Sequence, residues 1–139
     1  MTPSKAAFPF LGTWKLTKTE TSRPDLPHPV SGITTFTQKE DGVHYSNDGV
    51  WSDGRSSKVA AVLQLDGSWC PITGSLVSDS VSFRRLEDGS FEVKMRKGGV
   101  DVGTNRTAAS ADGRTMMGEW QLAGSGGTSI TWKTTSERQ

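Results

Sequence analysis

Turn signals built on glycine recur along this chain at short intervals: Glu40-Asp41-Gly42, Ser52-Asp53-Gly54, Asp66-Gly67, Glu87-Asp88-Gly89, Gly98-Gly99, Ala111-Asp112-Gly113 and Gly124-Ser125-Gly126-Gly127. Glycine takes left-handed backbone angles without steric cost and Asp tolerates them, so each signal lets an extended chain reverse within a few residues. Between the signals lie runs rich in Val, Thr, Phe, Trp and Ile, with the alternation of a half-buried strand. Strands joined by such short reversals pair with their neighbours in sequence, which is an antiparallel meander. No window carries a capped helical stripe. The expected fold is therefore all-β: a single antiparallel up-and-down β-barrel of about eight to ten strands, or else a sandwich. One domain spans 1–139, with 1–9 as an N-terminal tail. The segment Thr21-Ser22-Arg23-Pro24-Asp25-Leu26-Pro27-His28-Pro29 holds three prolines. Proline cannot donate to a ladder, so 20–30 is expected to be a Pro-rich loop or lid across an open end.

Register decides which side chains point inward, because a slip of one residue exchanges the two faces. With Glu87-Asp88-Gly89 as a three-residue loop, Leu86 faces Ser90, Arg85 faces Phe91, Phe83 faces Val93 and Val81 faces Met95, while Arg84 meets Glu92 and Ser82 meets Lys94 on the other side. A two-residue turn at Gly98-Gly99 then sets Met95 against Val102, Val93 against Thr104 and Phe91 against Arg106, with Arg96 facing Asp101 outside. The two turns together predict Arg85, Phe91 and Arg106 side by side at one end of the inner face. For the third hairpin, a three-residue loop at Ala111-Asp112-Gly113 puts Met116, Gly118, Trp120 and Leu122 inside and Glu119 outside. A two-residue Asp112-Gly113 turn instead faces Arg106 with Glu119. The first is preferred because it buries three large apolar side chains together.

Charge and cysteine content exclude several function classes. Sixteen basic residues balance fifteen acidic ones, which gives no bulk attraction to nucleic acid, and the basic pairs alternate across faces. Membrane insertion is not expected either, since no apolar run approaches a span and the opening residues contain no signal-peptide core. The single cysteine, Cys70, rules out an internal disulfide and fits a small packed residue in a cytoplasmic protein. Two distant histidines, His28 and His44, make no metal spacing, so neither metal nor other cofactor is expected. Gly124-Ser125-Gly126-Gly127 lacks the Lys-Ser/Thr of a phosphate loop, and no serine sits in a nucleophile-elbow setting.

Several motifs carry a resemblance. Phe10-Leu11-Gly12-Thr13-Trp14-Lys15-Leu16 is similar to the Gly-x-Trp opening strand of the lipocalin and calycin superfamily. The stretches Asp66 to Ser75, Asp79 to Leu86 and Arg96 to Arg106 resemble those of short bacterial lipocalin-like proteins. The resemblance implies that Trp14 plugs the closed end of a barrel beneath a basic residue of a late strand, Lys133 or Arg138. It also suggests, through intracellular fatty-acid carriers that hold a carboxylate with internal arginines, a binding role for Arg85 and Arg106.

Two function classes follow. In the first, the barrel binds a small hydrophobic molecule, anionic or carbonyl-bearing, that the arginine pair orients; the lining is Arg85, Phe91, Arg106, Trp120, Trp132, Trp51, Tyr45, Met95 and Met116. In the second, a cofactor-independent cyclase or isomerase uses the same cavity on a hydrophobic natural-product intermediate. Arg106, Arg85 or Tyr45 would then polarise a carbonyl, and Glu119 would be a base under the two-residue register. A barrel filled by its own aromatics is the third possibility. Monomer and homodimer are both open, the latter through exposed strand edges.

Overall fold

The computed structural model describes residues 8–123 and 129–139. Ten strands run β1 (Gly12–Thr21), β2 (Pro29–Lys39), β3 (Gly42–Trp51), β4 (Ser56–Leu63), β5 (Asp66–Thr73), β6 (Ser80–Arg85), β7 (Phe91–Lys97), β8 (Val100–Ala109), β9 (Thr115–Ala123) and β10 (Ser129–Arg138). Each pairs antiparallel with its sequence neighbours, and β10 returns to β1 to close the barrel. Closure removes the exposed edges that an open meander would leave. The turns at Gly42, Gly54, Gly67, Gly89, Gly98, Gly99 and Gly113 all use positive φ; the signal at 124–127 lies outside the described residues. The Pro-rich loop occupies 22–28. It is tied to the β3–β4 turn, where the Ser52 amide donates to the His28 carbonyl at 2.8 Å and the His28 amide donates to the Ser52 hydroxyl at 3.1 Å.

One end of the barrel is shut by aromatics. Trp14 and Phe10 are wholly buried, and Phe8, inside the stretch expected to be a tail, is 4% exposed. The Trp14 indole donates to the Phe10 carbonyl at 2.9 Å. Of the two basic residues expected over this ring, Arg138 is the one in place, 4.2 Å from its centroid. The same guanidinium donates to the Pro9 carbonyl at 2.8 Å, to the Leu11 carbonyl, and to the Gly113 carbonyl at 2.9 Å. One arginine thus pins the entering chain to the last strand. Phe8, Phe36, Phe83 and Phe91 continue the plug inward, with Phe83 and Phe91 stacked at 4.2 Å.

The β6–β7 hairpin has the expected register throughout, from Arg85 opposite Phe91 to Val81 opposite Met95. The β7–β8 hairpin agrees only at its tip. Lys97 faces Val100 and Arg96 faces Asp101, but Met95 then faces Gly103, so Val102 is an extra residue in β8. This bulge turns the rest of β8 over: Asn105 and Thr107 point inward and are buried, and Arg106 points outward opposite Glu92 and Glu119. The expected Arg85-Phe91-Arg106 trio does not form. In the third hairpin, Ser110 and Thr115 close a four-residue turn, so Arg106 faces Glu119 as in the two-residue reading. Yet Gly118, Trp120 and Leu122 are inside, as in the three-residue one, because the bulge has already shifted β8.

Two seams are thin. β1 pairs with β2 only over Gly12–Lys15, and β4 pairs with β5 only at Ala60–Thr73 and Ala61–Ile72. Among the described residues no helix is long and apolar enough to cross a membrane.

Candidate functional site

Above the phenylalanine plug the barrel encloses a cavity of ≈ 190 Å³. Its size follows from the inner faces of the strands. Gly32, Gly49 and Gly118 stand where the alternation of β2, β3 and β9 would otherwise place inward side chains, and all three line the cavity. The barrel is therefore not filled by its own aromatics.

The floor is apolar, made by Phe36, Phe83 and Phe91, and Val93 and Met95 continue the apolar lining up β7. Three tryptophans gather towards the other end: Trp51 meets Trp132 edge-on at 5.3 Å, and Trp120 lies tilted against Trp132 at 6.1 Å. The remaining two are placed elsewhere, Trp14 in the plug and Trp69 outside beneath Arg96 at 4.0 Å. Pro29 and the 75–78 segment complete the tryptophan end.

A band of neutral polar groups crosses the wall opposite Tyr45's strand. Thr107 donates its hydroxyl to the Asn105 side-chain carbonyl at 2.8 Å, and the Asn105 amide nitrogen donates to the Glu119 main-chain carbonyl at 3.3 Å. The Trp120 indole donates to the Thr134 hydroxyl at 3.3 Å. Gly118 lies at the centre of this band: a Cβ there would sit 2.9 Å from the Thr134 hydroxyl and 3.1 Å from that of Thr107. On β3, Asn47 donates to the Thr34 hydroxyl at 2.7 Å. The half-buried Tyr45 packs its ring against Phe36 at 5.3 Å, and burial pushes its phenol up to about 12. At neutral pH it is an uncharged donor, and among the described residues its hydroxyl has no hydrogen-bond partner.

Seven of the residues expected from sequence are brought together here: Phe91 and Met116 near the plug, Tyr45 and Met95 on the walls, and Trp51, Trp120 and Trp132 at the far end. The charged ones are not. Arg106 is exposed and lies 3.4 Å from Asp88, and Glu119 is exposed on the same outer face. Arg85 faces Phe91 beside the plug and does not line the cavity. Among the described residues Tyr45 is the only ionisable side chain in the lining. Residues that the sequence analysis missed are Asn105, Thr107, Thr134, Ser136 and Asn47. Gly103 was the available signal, since a glycine inside a strand marks a bulge or a close approach. Its Cβ would stand 2.6 Å from the Gln121 carbonyl.

A closed meander of ten strands around an internal cavity, with a tryptophan under an arginine at its shut end, has the lipocalin-like fold of the calycin barrels. The chain is similar to the S-type phycobiliprotein lyase CPES of Guillardia theta, with a TM-score of 0.61 and 14% identity over 94% of this chain and 89% of that one. It is also similar to the zebrafish ileal bile acid-binding protein, solved in complex with cholic acid, with a TM-score of 0.54 and 10% identity over 94% of this chain and 99% of the other. No protein-family model and no curated protein matches the sequence.

Proposed function

We propose that this protein binds one small, neutral, ring-containing molecule inside its barrel. The observation that carries the proposal is the cavity itself: an uncharged space of ≈ 190 Å³ between a phenylalanine floor and three tryptophans. Flat aromatic walls suit a flat or polycyclic ligand, and scattered neutral hydrogen-bonding groups orient such a molecule without demanding a charge. An ionised group at this depth would lose its hydration with no counter-ion in the wall, so a carbonyl-bearing ligand is favoured over a carboxylate. The two structural neighbours, a bile acid-binding protein and a phycobiliprotein lyase by name, support a hydrophobic occupant. The protein is read as cytoplasmic, on its single cysteine.

The experiment is a titration of tryptophan emission with a neutral polycyclic dye such as Nile red, because three of the five indoles line the cavity. A saturable change at one ligand per chain, with the dye recovered unaltered, is the expected result. A linear, non-saturating response to Nile red and to smaller neutral polycyclics would reject the proposal. The cyclase or isomerase alternative keeps one observation in its favour, the neutral Tyr45 hydroxyl in the lining, and is distinguished by an altered mass in the recovered ligand.

A further inference from the structure

The barrel wall is incomplete along the β1–β2 seam. β1 keeps its ladder with β10 from Trp14 to Thr21, and β2 keeps its ladder with β3 from Pro29 to Lys39. Between β1 and β2 the pairing stops at Lys15 opposite Ile33, so residues 16–21 and 29–32 have no partner across the seam. The divergence has a local cause. β1 carries an irregularity at Thr17 and β2 one at Val30, and a bulge bends its strand and adds twist just past the last rung. Pro29 has no N–H to offer across the break. Leu16, Ser31 and Gly32, which flank it, line the cavity and also a hollow of ≈ 530 Å³ on the outer surface, edged by Lys15, Ile33 and Lys58. Leu16 is the one large side chain of the three. The other thin seam is backed differently, since Val59 and Leu63 of β4 are buried behind it and Ile72 of β5 lines the cavity beside them. The far end of the barrel is crowded by Trp51, Trp120 and Trp132 in edge and tilted contact.

Resting on the cavity reading above, we propose that the bound molecule enters and leaves the barrel sideways, between β1 and β2, with Leu16 as the gate. Passage there breaks no β1–β2 hydrogen bond above Lys15, and it asks for a rotamer change of one half-buried side chain. Passage at the tryptophan end would instead part rings that pack on one another, and would strain the 22–28 loop against the hydrogen bonds that tie His28 to Ser52. A slit between two strands admits a flat ring system edge-on. The route therefore selects for thinness, as the aromatic walls select for flat rings.

Stopped-flow association and dissociation of Nile red with the whole protein separate the route from the site. A change confined to the route alters both rates by the same factor and leaves their ratio, the affinity, alone. Ser31 is exposed at the break, so Ser31→Trp should fold, slow both rates about tenfold and keep Kd within about twofold. Leu16→Ala, which removes the gate, should raise the association rate about threefold or more. Leu76→Trp, in the segment at the tryptophan end, should leave association within about twofold of the natural protein. Association unchanged in both seam variants, or slowed by Leu76→Trp as much as by Ser31→Trp, would overturn the inference while leaving the cavity reading intact. Weaker binding of Ser31→Trp through faster dissociation alone would do the same. No saturable binding of Nile red or of smaller neutral polycyclics to the natural protein would overturn both. Should Leu16→Ala fail to fold, the comparison of Ser31→Trp with Leu76→Trp decides alone.

Discussion

Tyr45 is the only tyrosine in the chain, so its ionisation can be read without assigning a spectrum. Burial disfavours the phenolate and pushes the group up to about 12 from its ordinary value of 10.0. Alkaline titration of the protein, followed by tyrosinate absorbance, should therefore show a midpoint near pH 12 rather than 10. The sign for stability follows. A phenol that holds its proton more tightly when folded contributes stability below the unfolded value, and that contribution is lost as pH rises through the folded value. Between pH 10 and 12 the natural protein should lose on the order of 2 kcal/mol relative to Tyr45→Phe, measured by urea unfolding of both. A midpoint at the ordinary tyrosine value would put the hydroxyl in bulk water and remove Tyr45 from the lining. Arg138 is the other side chain whose place carries much of the design, since stacking on Trp14 and bonding to three carbonyls of two separate segments makes it a clasp for the shut end.

The β8 bulge shows how one element can redirect a whole site. Gly103 lies against β9 so closely that a Cβ would stand 2.6 Å from the Gln121 carbonyl and 2.7 Å from a Leu122 methyl. Gly103→Ala should therefore cost about 2–3 kcal/mol through a clash with rigid backbone. Gly89→Ala, at φ 87° with nothing within 4 Å of the added carbon, should cost only about 1 kcal/mol for its backbone angle. Chemical denaturation of the pair checks this, and equal costs would mean that β8 and β9 do not meet at Gly103. The hairpins were legible wherever a turn type alone determined pairing: Glu87-Asp88-Gly89 placed every β6–β7 pair correctly, and Gly98-Gly99 placed its first two. Past Arg96 the alternation of β8 reads equally well in both phases, because Thr104, Asn105, Arg106 and Thr107 are all polar and no apolar stripe picks a face. The extra residue at Val102 is chosen by packing of Gly103 against Leu122 across β9, a contact that local pattern does not contain. The aromatic half of the site was legible for the opposite reason. Trp51, Trp120 and Trp132 fall in phase with the other inward apolar residues of their strands, Tyr45, Met116 and Ile130, although Val50 and Met117 are apolar on the outer face, whereas Asn105 and Thr107 became visible only once the bulge was placed.

At the scale of the whole barrel, the cavity is a choice of function against stability. At roughly 24 cal/mol per Å³ of void, a dry space of ≈ 190 Å³ would withhold up to about 4–5 kcal/mol from folding. Inward-facing glycines keep that space open, and Gly32 is the one where a side chain can be restored most simply. A Cβ built there meets only ordinary contacts, 3.5 Å from the Asn47 amide nitrogen and 3.7 Å from the Gly49 Cα, and its backbone angle needs no glycine. Gly32→Val should therefore fold, gain strand propensity and apolar contact, and unfold a few degrees higher than the natural protein, as about 1 kcal/mol does for a domain of this size. The same methyl groups would project into the lining beside Trp51 and Asn47 and should weaken Nile red binding about tenfold or more. Thermal unfolding and the dye titration on one variant thus test a single claim from both sides. Higher stability with unchanged affinity would place the ligand away from the β2–β3 wall, while lower stability would mean that the space beside Gly32 is already occupied and that the cavity does not extend to this part of the barrel.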